Sequence, residues 1–312
     1  MNIAPEDLLH RLGPYLPTDR FRALLAEQDL PEQAPGAALI VDISGFTPLT
    51  LRLVEQFGPQ RASEELKRRL NPMFEAIAGQ VFTHGGSVIR FVGDGFMAWF
   101  FDELPFVEAS TDHLPAVVRA TVAAVEMLEL MAFFRDLDIK VAVGGGLAQR
   151  WVVGNPQLGL VDVLTGPAVD RVADVTSRYQ RHEVRVDAAS QALLEQTSDI
   201  HFIVLPDGDL QVTQVAPALQ EQSRRYRWSP WRAQGNVQAV LERVKQFVTP
   251  LILEQEASGL GALGGELRYA TPVFLRFQGI DYNGDGTARS QLDRYMDDVQ
   301  RILQDTRVAG FA

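Results

Sequence analysis

The sequence predicts an α+β fold in which one mixed sheet is assembled in the order β-α-β-β-α-β, with extra strands after it. Three observations carry this. A continuous apolar run, Ala37 to Ile43, is closed by Gly45 and followed by a long stretch of helical spacing. Two apolar runs, Ser87 to Val92 and Phe96 to Phe101, flank Gly93-Asp94-Gly95, which is a hairpin signal. A second long helical stretch then leads to another apolar run, Ile139 to Ala148. A hairpin held between two helices in this way is the split βαβ arrangement of ferredoxin-like domains.

The elements follow in order. Leu8, Leu9 and Leu12, then Phe21, Leu24 and Leu25, recur at helical spacing, and Pro14 and Pro17 divide them into two short helices. Pro31 and Pro35 mark a linker. The run from Ala37 reads as a buried strand. Thr47 before Pro48 reads as an N-cap and first helical residue, so a helix is expected to start there. It continues with a break near Gly58-Pro59 to about His84, where Gly85-Gly86 ends it. After the hairpin, Pro115 to Asp136 is a long helix. Ile139 to Ala148 and Val161 to Thr165 are strands, Pro167 to Gln180 a helix, Glu183 to Val186 a strand and Ala188 to Glu195 a short helix. His201 to Leu205 and Leu210 to Val215 flank a Pro-Asp-Gly turn. Gln238 to Glu256 reads as one amphipathic helix, Gly259 to Gly265 as a glycine-rich linker, Thr271 to Phe277 as a fresh strand and Ser290 to Gln304 as a fresh helix.

Composition bounds the function. The chain has 312 residues, 46% of them hydrophobic, enough for a sizeable core. A net charge of −11 repels phosphate, so general binding to nucleic acid or an anionic membrane is not expected. A phosphate ligand would need a bound cation or a helix N-terminus. Arg224, Arg225, Arg227 and Arg232 lie among Tyr226, Trp228 and Trp231, but this cluster is short and reads as a crossover segment packed on the domain. No apolar stretch is free enough of charge to span a membrane, because Leu114 to Phe134 contains Arg119, Glu126 and Glu129. The absence of cysteine excludes disulfides and fits a cytoplasmic setting. The five histidines show no metal spacing and read as surface or turn residues. Asp281-Tyr-Asn-Gly-Asp-Gly286 resembles the front of a calcium loop, yet its twelfth place holds Leu292, so a structural loop is expected.

The chemistry-bearing segments are Leu39-Ile-Val-Asp-Ile-Ser-Gly-Phe-Thr47 and Gly86-Ser-Val-Ile-Arg-Phe-Val-Gly-Asp94-Gly-Phe-Met-Ala98. The first strand and the hairpin are neighbours in the expected sheet, so Asp42 and Asp94 can converge. Mg²⁺ takes one or two carboxylates and leaves its other positions to phosphate and water. Ser44 to Thr47 offer backbone N–H groups where a helix begins, which is an anion site. Each motif alone reads as a cap or an ordinary hairpin; together and in order they are more specific.

These segments, with "LDIKVAVGGGLA" and "VLTGPAVDRVADV", resemble the class III nucleotide cyclases over residues 37 to 215, and most of all the first domain of the tandem, soluble, bicarbonate-responsive adenylyl cyclases. The resemblance implies conversion of ATP, ahead of GTP, to the 3′,5′-cyclic nucleotide and pyrophosphate, with two ions of Mg²⁺ (or Mn²⁺ or Ca²⁺). It implies metal ligation by Asp42, Asp94 and the carbonyl of Ile43, with Gly45, Phe46 and Thr47 in the triphosphate loop beside Ser44. Arg90 stands where the purine-selecting lysine is expected, and Val163 at its companion place. Asp170 and Asp174 stand where an Asn and a transition-state Arg are expected, and Ala173 where a bicarbonate-site arginine would fall, with Arg171 nearby. Bicarbonate sensing is therefore not transferred. The missing groups would come from a second cyclase domain, in cis or in trans, or a homodimer could form through the same face. "ERVKQFVTPLILE…ELRYATPVFLRF" resembles a connecting helix and the first strand of such a second domain. The expected segments are then 1–36 (N-terminal helices), 37–218 (cyclase domain), 219–268 (crossover and connecting helix) and 269–312 (the start of a second domain). The chain alone is expected to be a weak or inactive cyclase; the alternative is a catalytically silent nucleotide-binding or dimerisation domain.

Overall fold

The computed structural model describes residues 3–103, 114–134, 136–225, 235–259, 275–282 and 286–305. In chain order the elements are helices α1 (Pro5–Leu12) and α2 (Thr18–Leu25), strand β1 (Gln33–Ser44), helix α3 (Phe46–Thr83), strands β2 (Ser87–Val92) and β3 (Gly95–Phe101), and helix α4 (Ala116–Leu130). Strands β4 (Asp138–Val153) and β5 (Val161–Thr165), helix α5 (Pro167–Thr176), strand β6 (Glu183–Val186) and helix α6 (Gln191–Glu195) follow. The chain continues through β7 (Ile200–Val204), β8 (Leu210–Val215), α7 (Pro217–Arg224), α8 (Val237–Lys245), α9 (Pro250–Ser258) and α10 (Ala288–Asp305). They form two compact units: residues 1–32, 149–166 and 230–312, and residues 33–148 and 167–229. The N-terminal helices share a unit with residues 149–166 and 230–312.

In the larger unit the sheet order is β2-β3-β1-β4-β6-β8-β7. Its first four strands, with α3 and α4 between them, are the expected βαββαβ core. Strand β1 buries Leu39, Val41 and Ile43 with Phe96, Ala98 and Phe100 of β3 on one face. Met73, Ile77 and Val81 of α3 and Val118, Val122 and Met127 of α4 belong to the same core. Alternation along β1 then leaves Ile40 and Asp42 on the opposite face.

Two expectations about helix ends need correction. The helix after β1 begins at Phe46, with Gly45 as N-cap at φ 96°, and not at Pro48 with Thr47 as cap. A Cβ at Gly45 would meet the Asp136 carbonyl oxygen at 2.8 Å, so glycine is required there. The expected break is real: Gly58 leaves the helix at φ 73° and ψ 163°. Residues 238–256 are two helices, α8 and α9, because Pro250 stands at the first turn of a new one.

His84 also departs from the sequence reading, which placed it in a turn or on the surface. It caps α3 but is fully buried. Its Nδ1 lies 2.6 Å from Ser223 Oγ and its Nε2 3.1 Å from Glu126 Oε2. The Arg119 guanidinium donates to the His84 carbonyl at 2.9 Å, and Arg224 lies 3.1 Å from Glu126. Burial pushes the Glu126 carboxyl up, but its bonds to His84 and Arg224 outweigh this and hold it below the ordinary glutamate range. With Ser223 only 2% exposed, this Ser-His-Glu contact is closed to a substrate and fastens α7 to α3 and α4.

In the smaller unit α1 and α2 pack against α8 through Leu9, Leu12, Phe21 and Leu24 with Val240, Leu241 and Val244. Residues Gln149–Val153 of β4 pair antiparallel with β5. A buried charge cluster forms beside them. Arg150 reaches Asp19 at 2.5 Å and Asp162 at 2.6 Å, and Arg20 reaches Asp162 at 2.7 Å. Leu292 is buried with Trp151, and Tyr282 stacks on that indole with centroids 6.0 Å apart, so the ends of the calcium-loop look-alike serve packing. Residues 283–285 lie outside the described residues. So do most of the basic-aromatic cluster, the glycine-rich linker after Gly259, and residues 271–274 of the expected fresh strand; residues 275–280 have no regular secondary structure.

Candidate active site

Strands β1 and β3 pair antiparallel with Asp42 opposite Gly95, Ile40 opposite Met97, and the register continues to Gly36 opposite Phe101. Strands β2 and β3 pair with Val92 opposite Gly95 and Arg90 opposite Met97. Opposed residues share a face, so Asp42 and Arg90 stand on one side of the sheet. The loop between β2 and β3 is Gly93-Asp94, with Gly93 at φ 60° as the first central residue of the turn. Asp94 therefore lies one residue from the partner of Asp42. This approach requires Gly95: a Cβ there would lie 3.1 Å from the Val41 carbonyl carbon and 3.2 Å from the Asp42 Cα.

The face carrying Asp42 opens into a cleft of about 340 Å³, lined among others by Ile40, Asp42, Met97, Thr176 and Tyr179. Arg90 shares the sheet face but is not part of the lining. The Tyr179 hydroxyl feels both carboxylates: burial, then the charges of Asp42 and Asp94, push it well above its ordinary pKa. The side chain of Lys140, on β4, reaches the same place. Its Nζ lies 2.8 Å from Asp42 Oδ2 and 4.7 Å from the centroid of the Tyr179 ring. Neither Lys140 nor Tyr179 was singled out from the sequence.

Ser44, Gly45, Phe46 and Thr47 follow Asp42 and Ile43, and the first turn of α3 carries the amides of Phe46 and Thr47, whereas Pro48 has none. Leu49 N–H is used within the helix, bonding the Gly45 carbonyl at 3.0 Å. Asp170, Ala173 and Asp174 are exposed on α5. Arg171 is committed elsewhere: it lies 2.6 Å from Asp187 and donates to the Gly145 carbonyl.

As a donor set for a hard divalent cation, the Asp42 carboxylate with Asp94, one residue from its strand partner, is of the right chemistry. Among the described residues no group of three or more His, Cys, Asp or Glu side chains is placed to hold a metal, so the remaining ligands would have to be backbone, water or phosphate oxygens. The Lys140 ammonium on Asp42 is the one feature that opposes it.

Comparison with known proteins agrees with the motifs. No protein-family model matches the chain. It is 28% identical over 151 residues to adenylate cyclase type 10 of Homo sapiens, a stretch that is 48% of this chain and 9% of that protein. Among solved structures, the adenylyl cyclase CyaB from P. aeruginosa has 20% identity, covering 59% of this chain and 94% of the other at a TM-score of 0.45. The guanylate cyclase domain of RhGC from Catenaria anguillulae, solved with GTP, has 16% identity, covering 59% and 100% at a TM-score of 0.46. The chain is thus similar in sequence to adenylate cyclase type 10 over about half its own length, and spans about a tenth of that protein. Among the described residues no helix is long and apolar enough to cross a membrane.

Proposed function

We propose that this chain is the metal-binding half of a class III cyclase site. It would convert ATP, ahead of GTP, to the 3′,5′-cyclic nucleotide and pyrophosphate. The observation that supports this reading is the pairing of Asp42 with Gly95, the residue after Asp94, at the edge of a cleft that Asp42 lines. Asp42, Asp94 and the Ile43 carbonyl would hold divalent ions, Mg²⁺ first and Mn²⁺ or Ca²⁺ as substitutes. Ions held there would supply Lewis acidity that favours loss of the ribose 3′-hydroxyl proton and would neutralise charge on the departing pyrophosphate. The new bond joins O3′ to the α-phosphorus, the α–β anhydride bond breaks, and the proton leaves to solvent. The Phe46 and Thr47 amides at the start of α3 would receive phosphate oxygens, and Arg90 lies on the same sheet face for a base or a partner.

Asp170 and Asp174 offer anions where the resemblance calls for a positioning amide and a transition-state cation. The complement would come from a second cyclase domain, in cis or in trans, or from a second copy. Loss of such a cation costs about 10³-fold or more in phosphoryl transfer, so the chain alone should turn over slowly. The two exposed aspartates also favour a second reading, a silent domain that binds nucleotide without turnover. Calorimetry with Mn²⁺–ATP, comparing wild type with Asp42→Asn and Asp94→Asn, tests the site. Binding lost in both variants supports the reading, and equal binding in all three overturns it. Cyclase activity on adding a complementing half-site then separates the enzyme from the silent domain.

A further inference from the structure

We infer that Lys140, seated on the Tyr179 ring, is a built-in stopper on the Asp42 carboxylate, so that the resting site is closed to free divalent metal by a cation of its own chain. This rests on the proposed reading of Asp42 and Asp94 as metal ligands and adds a control on their occupancy. Lys140 Nζ lies 2.8 Å from Asp42 Oδ2, which is hydrogen-bond contact with an oxygen a metal would need. A divalent ion at about 2.0–2.1 Å from that oxygen would stand a few ångströms from the ammonium, and the two charges repel. The ammonium must leave first.

Two features keep it in place. The Tyr179 ring lies 4.7 Å from Nζ, close enough for a cation–π contact. Tyr179 itself is buried, only 8% exposed, so the ring is a fixed seat. Lys140 is also held from behind. It pairs with Glu183 along the parallel β4–β6 ladder, which fixes where its stem leaves the sheet. The Glu183 carboxylate is not free to draw the ammonium away, because it accepts from Arg185 at 2.9 Å and from the Gln180 amide at 2.6 Å. Asp42 is therefore the anion recorded against Lys140. The Lys140 side chain is 23% exposed and that of Asp42 39%, so solvent screens the pair and the stopper can be displaced.

The test is Mn²⁺ binding to the full chain without nucleotide, followed by electron paramagnetic resonance of the free ion. Lys140→Met and Lys140→Gln should each bind Mn²⁺ about three- to tenfold more tightly than wild type. Tyr179→Leu, which removes the seat but keeps the lysine, should show a smaller gain. Adding Asp42→Asn to Lys140→Met should abolish the gain. Near-ultraviolet circular dichroism checks that each variant is folded, and having two substitutions at position 140 keeps the result readable if one fails. Unchanged or weaker Mn²⁺ binding in folded Lys140 variants overturns the stopper while leaving the metal site standing. A gain that survives Asp42→Asn also overturns it, by placing the ion elsewhere. No binding in any variant, the lysine-free ones included, overturns the metal-site reading itself.

Discussion

Gly95→Ala tests whether the fold brings the two aspartates together by a backbone approach that only glycine allows. The φ of Gly95 is not in the left-handed region, so alanine meets no conformational objection there. The cost is steric. The new Cβ would lie 3.1 Å from the Val41 carbonyl carbon, 3.2 Å from the Asp42 Cα and nearer still to the Val41 oxygen. Contacts between carbons want about 3.5–4.0 Å, so β1 and β3 must part at the residue pair that carries Asp42. Overpacking of this kind costs about 1–3 kcal/mol. A displacement on the order of 1 Å at a ligating position should weaken Mn²⁺–ATP binding by on the order of tenfold or more. Gly93→Ala is the control. Nothing lies within 4 Å of its Cβ, but φ is 60°, so it should cost roughly 1 kcal/mol in strain and leave the ligand geometry alone. Urea unfolding gives the stabilities and calorimetry the affinities. The argument is refuted if Gly95→Ala binds as wild type does, or if Gly93→Ala loses affinity equally.

Three further outcomes follow from buried charge. Arg150→Met should cost about 3–5 kcal/mol in urea unfolding, because it removes the guanidinium that the buried Asp19 and Asp162 carboxylates share. Burial pushes the Asp162 carboxyl up, but Arg150 and then Arg20 outweigh it, so its pKa is lowered on folding. Its contribution to stability is therefore full above the unfolded value of about 3.9 and is lost as pH falls through the lower folded value; acid unfolding below pH ~4 should be blunted in Asp162→Asn/Arg150→Met relative to wild type. His84→Leu should cost about 1–3 kcal/mol by removing the partner of the buried Ser223 hydroxyl and one of the two partners of Glu126 Oε2, which keeps Arg224, and combining it with Ser223→Ala should cost less than the sum of the two, as a double-mutant cycle would show.

The strands were legible because their signals are local. An apolar run closed by glycine, or two runs separated by a Gly-Asp pair, fixes a strand and a two-residue turn whatever the rest of the chain does. Helix starts were less so, and two Thr-Pro pairs show why. Thr249-Pro250 starts α9 as a cap and first residue, yet it went unread inside a continuous amphipathic pattern. Thr47-Pro48 has the same form, but the helix begins at Phe46. Gly45 can take a positive φ and turn the chain out of β1 two residues early. The side chain before proline decides only when no glycine upstream has already made the turn.

The site was legible as far as its backbone and no further. Asp42 and Asp94 could be paired because hairpin register is a local property. Lys140 could not be added, because a lysine alternating with Ile139 and Val141 on a strand is what any half-exposed strand shows. Tyr179 falls inside a helix that the sequence extends to Gln180, whereas α5 ends at Thr176 and leaves the tyrosine three residues beyond it. His84 beside Gly85-Gly86 reads as a turn until Ser223, 139 residues away, covers it. These three residues depend on contacts between elements far apart in sequence, and two of them change what the aspartates do. Two carboxylates side by side in water would attract any passing cation. With Lys140 already on Asp42, the proposed site would favour a ligand that brings its own negative charge to draw the lysine off, which a metal–triphosphate complex would do and a bare metal ion would not.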